Sequence, residues 1–176
     1  VSVLQLYEQG KIDLNEDIRT YLPEGYMKNL KYDDKITMLN LMNHNAGWCE
    51  STYNIFVTDE NQLTTLEEMV QDVEPAQIWR PGEVTSYSNY GAALAGLIVE
   101  RVSGESYIDY VNKHIFDKLG MEQTSVAPDF NDNPWVRTQR EKLKAYAVLG
   151  DNIMPGGLDM GFIPIYPAGS ACGTIE

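Results

Sequence analysis

Tyr87, Ser88 and Asn89 bring together the side chains of this sequence best suited to proton transfer and amide recognition at close quarters. A phenol can carry a proton, and a carboxamide can both donate to and accept from an amide group. The tripeptide also has a purely structural reading: a buried Tyr, a Ser that caps a helix and an Asn in a loop. The 176 residues hold no G-x-S-x-G, H-E-x-x-H or G-x-G-x-x-G. Of the two histidines, His114 falls on an amphipathic helix as a surface or half-buried residue. His44 falls in a loop after a helix, where imidazole often satisfies backbone groups. A Ser-His-Asp triad would need His44 with a serine and a carboxylate, and the sequence selects neither. "DFNDNP" opens like a calcium loop at Asp129, Asn131 and Asn133. Pro134 then stands where Gly is required, and Arg140 where a bidentate Glu is required, so the stretch reads as a turn-rich loop. No metal or cofactor is expected.

The elements that must position these residues are mainly helical. Val3, Leu4, Leu6 and Tyr7 have helical spacing, with Gly10 as the stop. A short turn is predicted near Asp17 to Leu22, ended by Pro23. Thr37 is placed to cap a helix over Met38–Asn43. Thr65 and Glu68 fit a capping box for Leu66–Val73. Ser88 is placed to cap Asn89–Val102, which Ser103-Gly104 stops, and Ser106 to cap a helix from Tyr107 to about Phe116. The region 125–134 reads as a polar loop, 144–149 as a short strand and the rest as irregular. The helix from Asn89 is apolar around nearly its whole circumference, which marks a buried element. Gly91, Ala92, Ala95 and Gly96 would let neighbouring backbones approach it. Such a helix is a rigid platform for whatever projects from its N-terminus.

Composition narrows the partners. A net charge of −13 and the lack of any Lys/Arg cluster argue against nucleic acid. The longest apolar stretch, Gly91 to Val99, is far short of the ~18 residues needed to span a bilayer. Cys49 and Cys172 could pair if the fold brings them together, and otherwise read as two buried or partly buried thiols. The first residue is Val1, and Glu176 follows closely on a Gly-Thr pair, so both ends read as cut from something longer. With few strand candidates, residues 1–176 read as one segment with a helical core.

Taken in order, "QLYEQGKIDLNEDIRTYLPE", "ITMLNLMNHNAGW", "RPGEVTSYSNYGAALAGLIVERVSG" and "YPAGSACGT" closely resemble the serine β-lactamase and penicillin-binding-protein superfamily, in its class C-like branch. That branch includes D-alanyl-D-alanine carboxypeptidases, D-aminopeptidases and related esterases, and the resemblance runs over essentially the whole chain. It implies a mainly α fold, the helical lobe of the β-lactamase/DD-peptidase-like architecture with few short strands. It implies that Tyr87 and Asn89 are the Y-x-N motif, Tyr87 shuttling the proton and Asn89 binding the substrate amide. Ser88, His44 and Gly47 (the "H-x-x-G" loop) and Gly169 with Thr174 (a Gly-rich segment) would be scaffold around the pocket.

The family's S-x-x-K is missing, because no serine here has lysine three residues on, and so is its K-T-G-like strand. Lys118-Leu119-Gly120 has the outer letters but Leu119 lacks the hydroxyl. The chain therefore reads as the middle segment of a serine acyl hydrolase. Its nucleophile, oxyanion hole and activating lysines would lie outside these residues, which leaves the segment inert by itself. A phenol of reference pKa about 10 is a poor base without cations beside it. The resemblance further implies a small-molecule or peptidoglycan-like substrate, an α/β lobe of the same protein as packing partner, and an extracytoplasmic location. Uncovered apolar surface would favour self-association. A non-catalytic module that senses peptidoglycan or a β-lactam is the competing reading.

Overall fold

The structure, a computed structural model, describes residues 1–51, 55–144, 146–155 and 161–175. Its helices are α1 (Ser2–Glu8), α2 (Met38–Met42), α3 (Leu66–Asp72), α4 (Asn89–Ser103), α5 (Tyr107–Val111), α6 (Asp117–Leu119) and α7 (Pro134–Arg140). Among the described residues four short strands accompany them: β1 (Thr124–Ser125), β2 (Tyr146–Leu149), β3 (Asn152–Pro155) and β4 (Cys172–Gly173). β1 pairs antiparallel with β4, Thr124 facing Gly173. β2 and β3 form a hairpin in which Val148 faces Ile153. Helix dominates and strand is sparse, as the sequence implies.

The capping residues act where the sequence places them. Thr37 and Asn40 close a capping box on α2, and Thr65 and Glu68 close one on α3. The Ser88 hydroxyl accepts from the Gly91 N–H at the start of α4, and Gly104, at φ 75°, takes the left-handed turn that ends it. Each cap satisfies backbone groups that a helix end leaves open.

α4 is the pillar of the fold. Ala93, Leu94, Leu97, Ile98 and Val99 are buried, and α1, α2, α3, α5 and a 3-10 turn at Tyr166–Ala168 pack around it. Leu6 of α1, Met38 and Leu41 of α2, and Leu66 and Val70 of α3 complete the core. Of the two glycines on α4, Gly96 is the one that admits a close neighbour. A Cβ there would lie 2.5 Å from both Cβ and Cγ of Pro167. At Gly91 the same atom would meet nothing closer than the Ser88 hydroxyl at 3.6 Å.

Two regions differ from the sequence expectation. The Ser106-capped helix is not α throughout: α5 widens into a π segment, Asn112–Phe116, before α6 and the left-handed Gly120. In that segment the His114 carbonyl accepts from Gln5 Nε2 of α1 (3.2 Å), and its half-buried ring meets Glu105 Oε1 at 2.9 Å. The region expected as a polar loop buries Val126, Ala127 and Phe130. Its Asp132 carboxylate accepts from the Val126 N–H (2.9 Å), Asn112 Nδ2 (3.1 Å) and the Ser125 hydroxyl. Asn133 then caps α7 with Pro134 in its first turn. Asn-Pro reads as a turn in sequence, yet Pro is equally suited to a first helical position.

The strand expected over 144–149 begins at Tyr146, and Ala145 lies outside the described residues. The tail expected to be irregular holds β3, the 3-10 turn and β4, with 156–160 and 176 outside the described residues. Cys49 and Cys172 are free and half-buried. Among the described residues no helix is long and apolar enough to cross a membrane.

The two glycines of α4 should respond in opposite senses to alanine. Gly96→Ala forces Pro167 away at a cost of about 1–3 kcal/mol, outweighing a helix-propensity gain of about 1 kcal/mol. Gly91→Ala keeps the gain without the clash. Urea unfolding should show Gly96→Ala destabilised and Gly91→Ala neutral to stabilised.

Candidate active site

The N-terminus of α4 is entered by an extended segment, with Ser88 at φ −146° and ψ 113°. In extended backbone, residues two apart project to the same side and the one between projects to the other. Ser88 accordingly turns inward, 4% exposed, to cap the helix, while Tyr87, 55% exposed, and Asn89 turn outward together. The Tyr87 hydroxyl donates to Asn89 Oδ1 at 3.1 Å. The i, i+2 spacing is thus the signature of two side chains on one face of an extended strip.

The loop after α2 braces that strip. His44 adopts φ 52°, uncommon outside glycine, and its carbonyl accepts from the Ser86 N–H at 2.7 Å. Its Nδ1 accepts from the Ser88 N–H at 3.2 Å, which assigns the proton to Nε2. The imidazole lies against the Tyr87 ring, centroids 4.6 Å apart. One residue therefore holds Ser86, Tyr87 and Ser88 in turn. Asn40 Nδ2 donates to Asn45 Oδ1 (3.0 Å), and the Asn45 carbonyl accepts from the Gly82 N–H (2.7 Å).

Gly47 makes the closest approach. At φ 100°, its absent Cβ would fall 2.1 Å from the Trp79 carbonyl oxygen. Its own carbonyl accepts from the N–H groups of Ile78 and Trp79. Buried Gln77 ties the same region inward: Nε2 donates to the Ala46 carbonyl, and Oε1 accepts from the N–H groups of Lys31 and Tyr32. Trp48 packs edge-on against Tyr90 behind the strip, centroids 4.8 Å apart. Burial, with help from the Glu74 charge, pushes the Tyr90 phenol well above its ordinary pKa. Tyr90 is enclosed, and Tyr87 is the tyrosine of the pair that faces outward.

Glu50 escaped the sequence reading. Its Oε2 accepts from the Asn89 backbone N–H at 2.9 Å and its Oε1 from Asn89 Nδ2 at 3.1 Å. A carboxylate at a helix N-terminus also meets the favourable end of the helix dipole. No local pattern announces a partner 39 residues away, so only the fold could reveal it. The structure brings Tyr87, Ser88, Asn89, His44, Gly47 and Glu50 together. Gly169 ends the Tyr166–Ala168 turn, whose Pro167 packs on α4 at Gly96, two turns beyond Asn89. Thr174 hydrogen-bonds to Gln123 beside the β1–β4 pair.

The sequence profile described as Beta-lactamase matches residues 1–176. This chain belongs to the beta-lactamase family. A protein of Bacillus subtilis (strain 168) that carries a penicillin-binding-protein name, PbpX, is 28% identical over 134 residues, or 76% of this chain and 32% of that protein. A D-stereospecific amidohydrolase from Streptomyces sp. shares 25% identity and superposes with a TM-score of 0.71, over 97% of this chain and 52% of that one. A D-amino acid amidase from Ochrobactrum anthropi SV3, complexed with L-phenylalanine amide, gives 23% identity and a TM-score of 0.73, over 98% and 48%. The last likeness speaks to the fold alone. The chain spans about a third of PbpX and about half of these two solved structures.

In this beta-lactamase-family chain, Gly47 has no tolerant replacement. Gly47→Ala puts a methyl group onto the Trp79 carbonyl in a left-handed conformation, a backbone strain of about 1–3 kcal/mol before the clash is counted. Thermal unfolding should show a lowered midpoint, and hydrogen exchange should show faster exchange at Ile78 and Ser88.

Proposed function

We propose that this chain forms the helical lobe of a serine acyl hydrolase and supplies one wall of its active site. The observation that carries the reading is the outward-facing Tyr87–Asn89 pair, hydrogen-bonded at 3.1 Å and fixed at the head of a buried helix. Membership of the beta-lactamase family and the hydrolase names of solved relatives support it. The nucleophilic Ser of an S-x-x-K and the K-T-G-like strand come from the rest of the full-length protein.

In this mechanism the serine Oγ attacks the substrate carbonyl and its proton passes to the Tyr87 oxygen. Tyr87 then delivers that proton to the departing nitrogen or oxygen, leaving an acyl-serine. Water repeats the sequence in reverse to release the acid. Lysine cations outside these residues lower the cost of an anionic phenol. Asn89 has one Nδ2 hydrogen on Glu50, and its second points a donor at the substrate's amide carbonyl. His44 and Gly47 hold the strip still, which is what near-attack geometry requires.

Small acyl substrates fit this arrangement: a β-lactam, a peptidoglycan-like D-Ala peptide, a D-amino-acid amide or a short ester. A resemblance to a protein with a penicillin-binding name supports an extracytoplasmic site of action. With no S-x-x-K in its 176 residues, the segment alone is inactive.

Full-length protein treated with a fluorescent penicillin or an organophosphonate should carry a covalent serine adduct. Tyr87→Phe should slow its formation by ~10²-fold or more, the range for losing a positioned proton carrier. No adduct with either reagent would sink the proposal. The isolated segment should not turn over nitrocefin or a p-nitrophenyl ester. Turnover abolished by Tyr87→Phe would show that the segment carries its own nucleophile.

A further inference from the structure

His44 is only half-buried, yet three consecutive residues of the strip lean on it. Its carbonyl accepts from the Ser86 N–H (2.7 Å), its ring lies against the Tyr87 ring (centroids 4.6 Å apart), and its Nδ1 accepts from the Ser88 N–H (3.2 Å). The last contact demands a particular state of the imidazole. A backbone N–H can only donate, so Nδ1 must carry a lone pair. The neutral ring protonated at Nε2 has one there. The neutral ring protonated at Nδ1 does not, and neither does the imidazolium.

We propose that His44 is a positioning residue that holds the Tyr87–Asn89 strip only as the neutral, Nε2-protonated imidazole, so that mild acid releases the strip. A second proton on Nδ1 sets two donors against each other. Either the ring turns or the strip withdraws, and both movements take from Tyr87 the face it rests on. The pillar itself stands, because the Ser88 hydroxyl caps α4 at Gly91 without help from the imidazole and the core of α4 is apolar. The release is therefore local to the site. Other titratable groups surround the loop. Tyr87 lies against the ring, and Glu50 meets Asn89 on the same strip. The turn that pairs with the loop at Gly82 carries Glu83 and Arg80, the latter bound to Asp34. Cys49 follows in the loop's own continuation, and α2, from which the loop departs, has no ionisable side chain.

The effect on acylation rests on the acyl-hydrolase reading, whereas the hold on the strip does not. His44→Asn tests both. Asparagine tolerates the φ of 52°, and its Oδ1 can replace Nδ1 as acceptor without titrating. Loss of the ring against Tyr87 lowers H44N rates at every pH alike, and the other titratable groups remain in both proteins. Acylation of the full-length wild-type protein by fluorescent penicillin should slow between about pH 8 and about pH 5. The ratio of the wild-type to the H44N rate should fall ~10-fold or more over that range, as expected for groups that lose their placement. With 15N in its histidine rings, wild-type protein at about pH 8 should show His44 protonated at Nε2 and bare at Nδ1. On acidification the Ser88 amide proton should shift with the same midpoint as that ring, and H44N should lack this step.

A neutral His44 protonated at Nδ1 overturns the proposal, as does a rate ratio that stays level with pH. So does a Ser88 amide that does not follow the ring. If wild-type protein forms no adduct at any pH, the acyl-hydrolase reading falls, and the tautomer and the Ser88 shift alone uphold or overturn the hold of His44 on the strip.

Discussion

The change from extended backbone to helix at Ser88 is the constraint on which this site depends. One residue must end a strip at φ −146° and ψ 113°, and its hydroxyl must satisfy an open N–H of α4. That inward turn of Ser88 forces its two neighbours outward on a common face. The orientation of Tyr87 and Asn89 therefore follows from the burial of the helix they precede. A capping serine that failed to point inward would rotate both of these side chains with it.

Burial on one side and polar bracing on the other make this constraint firm. α4 cannot shift, because its apolar side chains are enclosed on nearly all sides and Pro167 rests on its backbone at Gly96. The strip before it cannot shift, because His44 engages Ser86 through its carbonyl and Ser88 through its ring nitrogen. Gly47 lets the His44 loop press against Trp79, and Gln77 secures the buried side of that contact. Hydrogen bonds at His44, Asn45, Gly47 and Gln77 thus order the loop without a large apolar core of its own.

The widened helix and the Asp132 turn show the same logic away from the site. The π segment at Asn112–Phe116 sets Asn112 against the Asp132 carboxylate and the His114 carbonyl against Gln5. Asp132 in turn gathers Ser125 and Val126, so an acidic residue in a polar-looking stretch organises a buried corner. Tertiary partners there outweighed local propensity, which had pointed to a plain helix and a solvated loop.

Local signals in the sequence determined the helices and their ends. Thr37, Thr65, Ser88 and Ser106 cap because their hydroxyls sit one residue before a helical run, and Gly104 and Gly120 stop because they tolerate the left-handed turn. The apolar circumference of α4 foretold its burial, and the Tyr-x-Asn spacing marked the pair that faces out. The tertiary structure alone decided that His44 braces three consecutive residues, that Pro167 rests on Gly96 two helical turns from that pair, and that Glu50 meets Asn89. Such contacts join residues tens of positions apart through single hydrogen bonds or close approaches. They leave no periodicity in the chain, because direction and distance in space are fixed only once the pillar is packed.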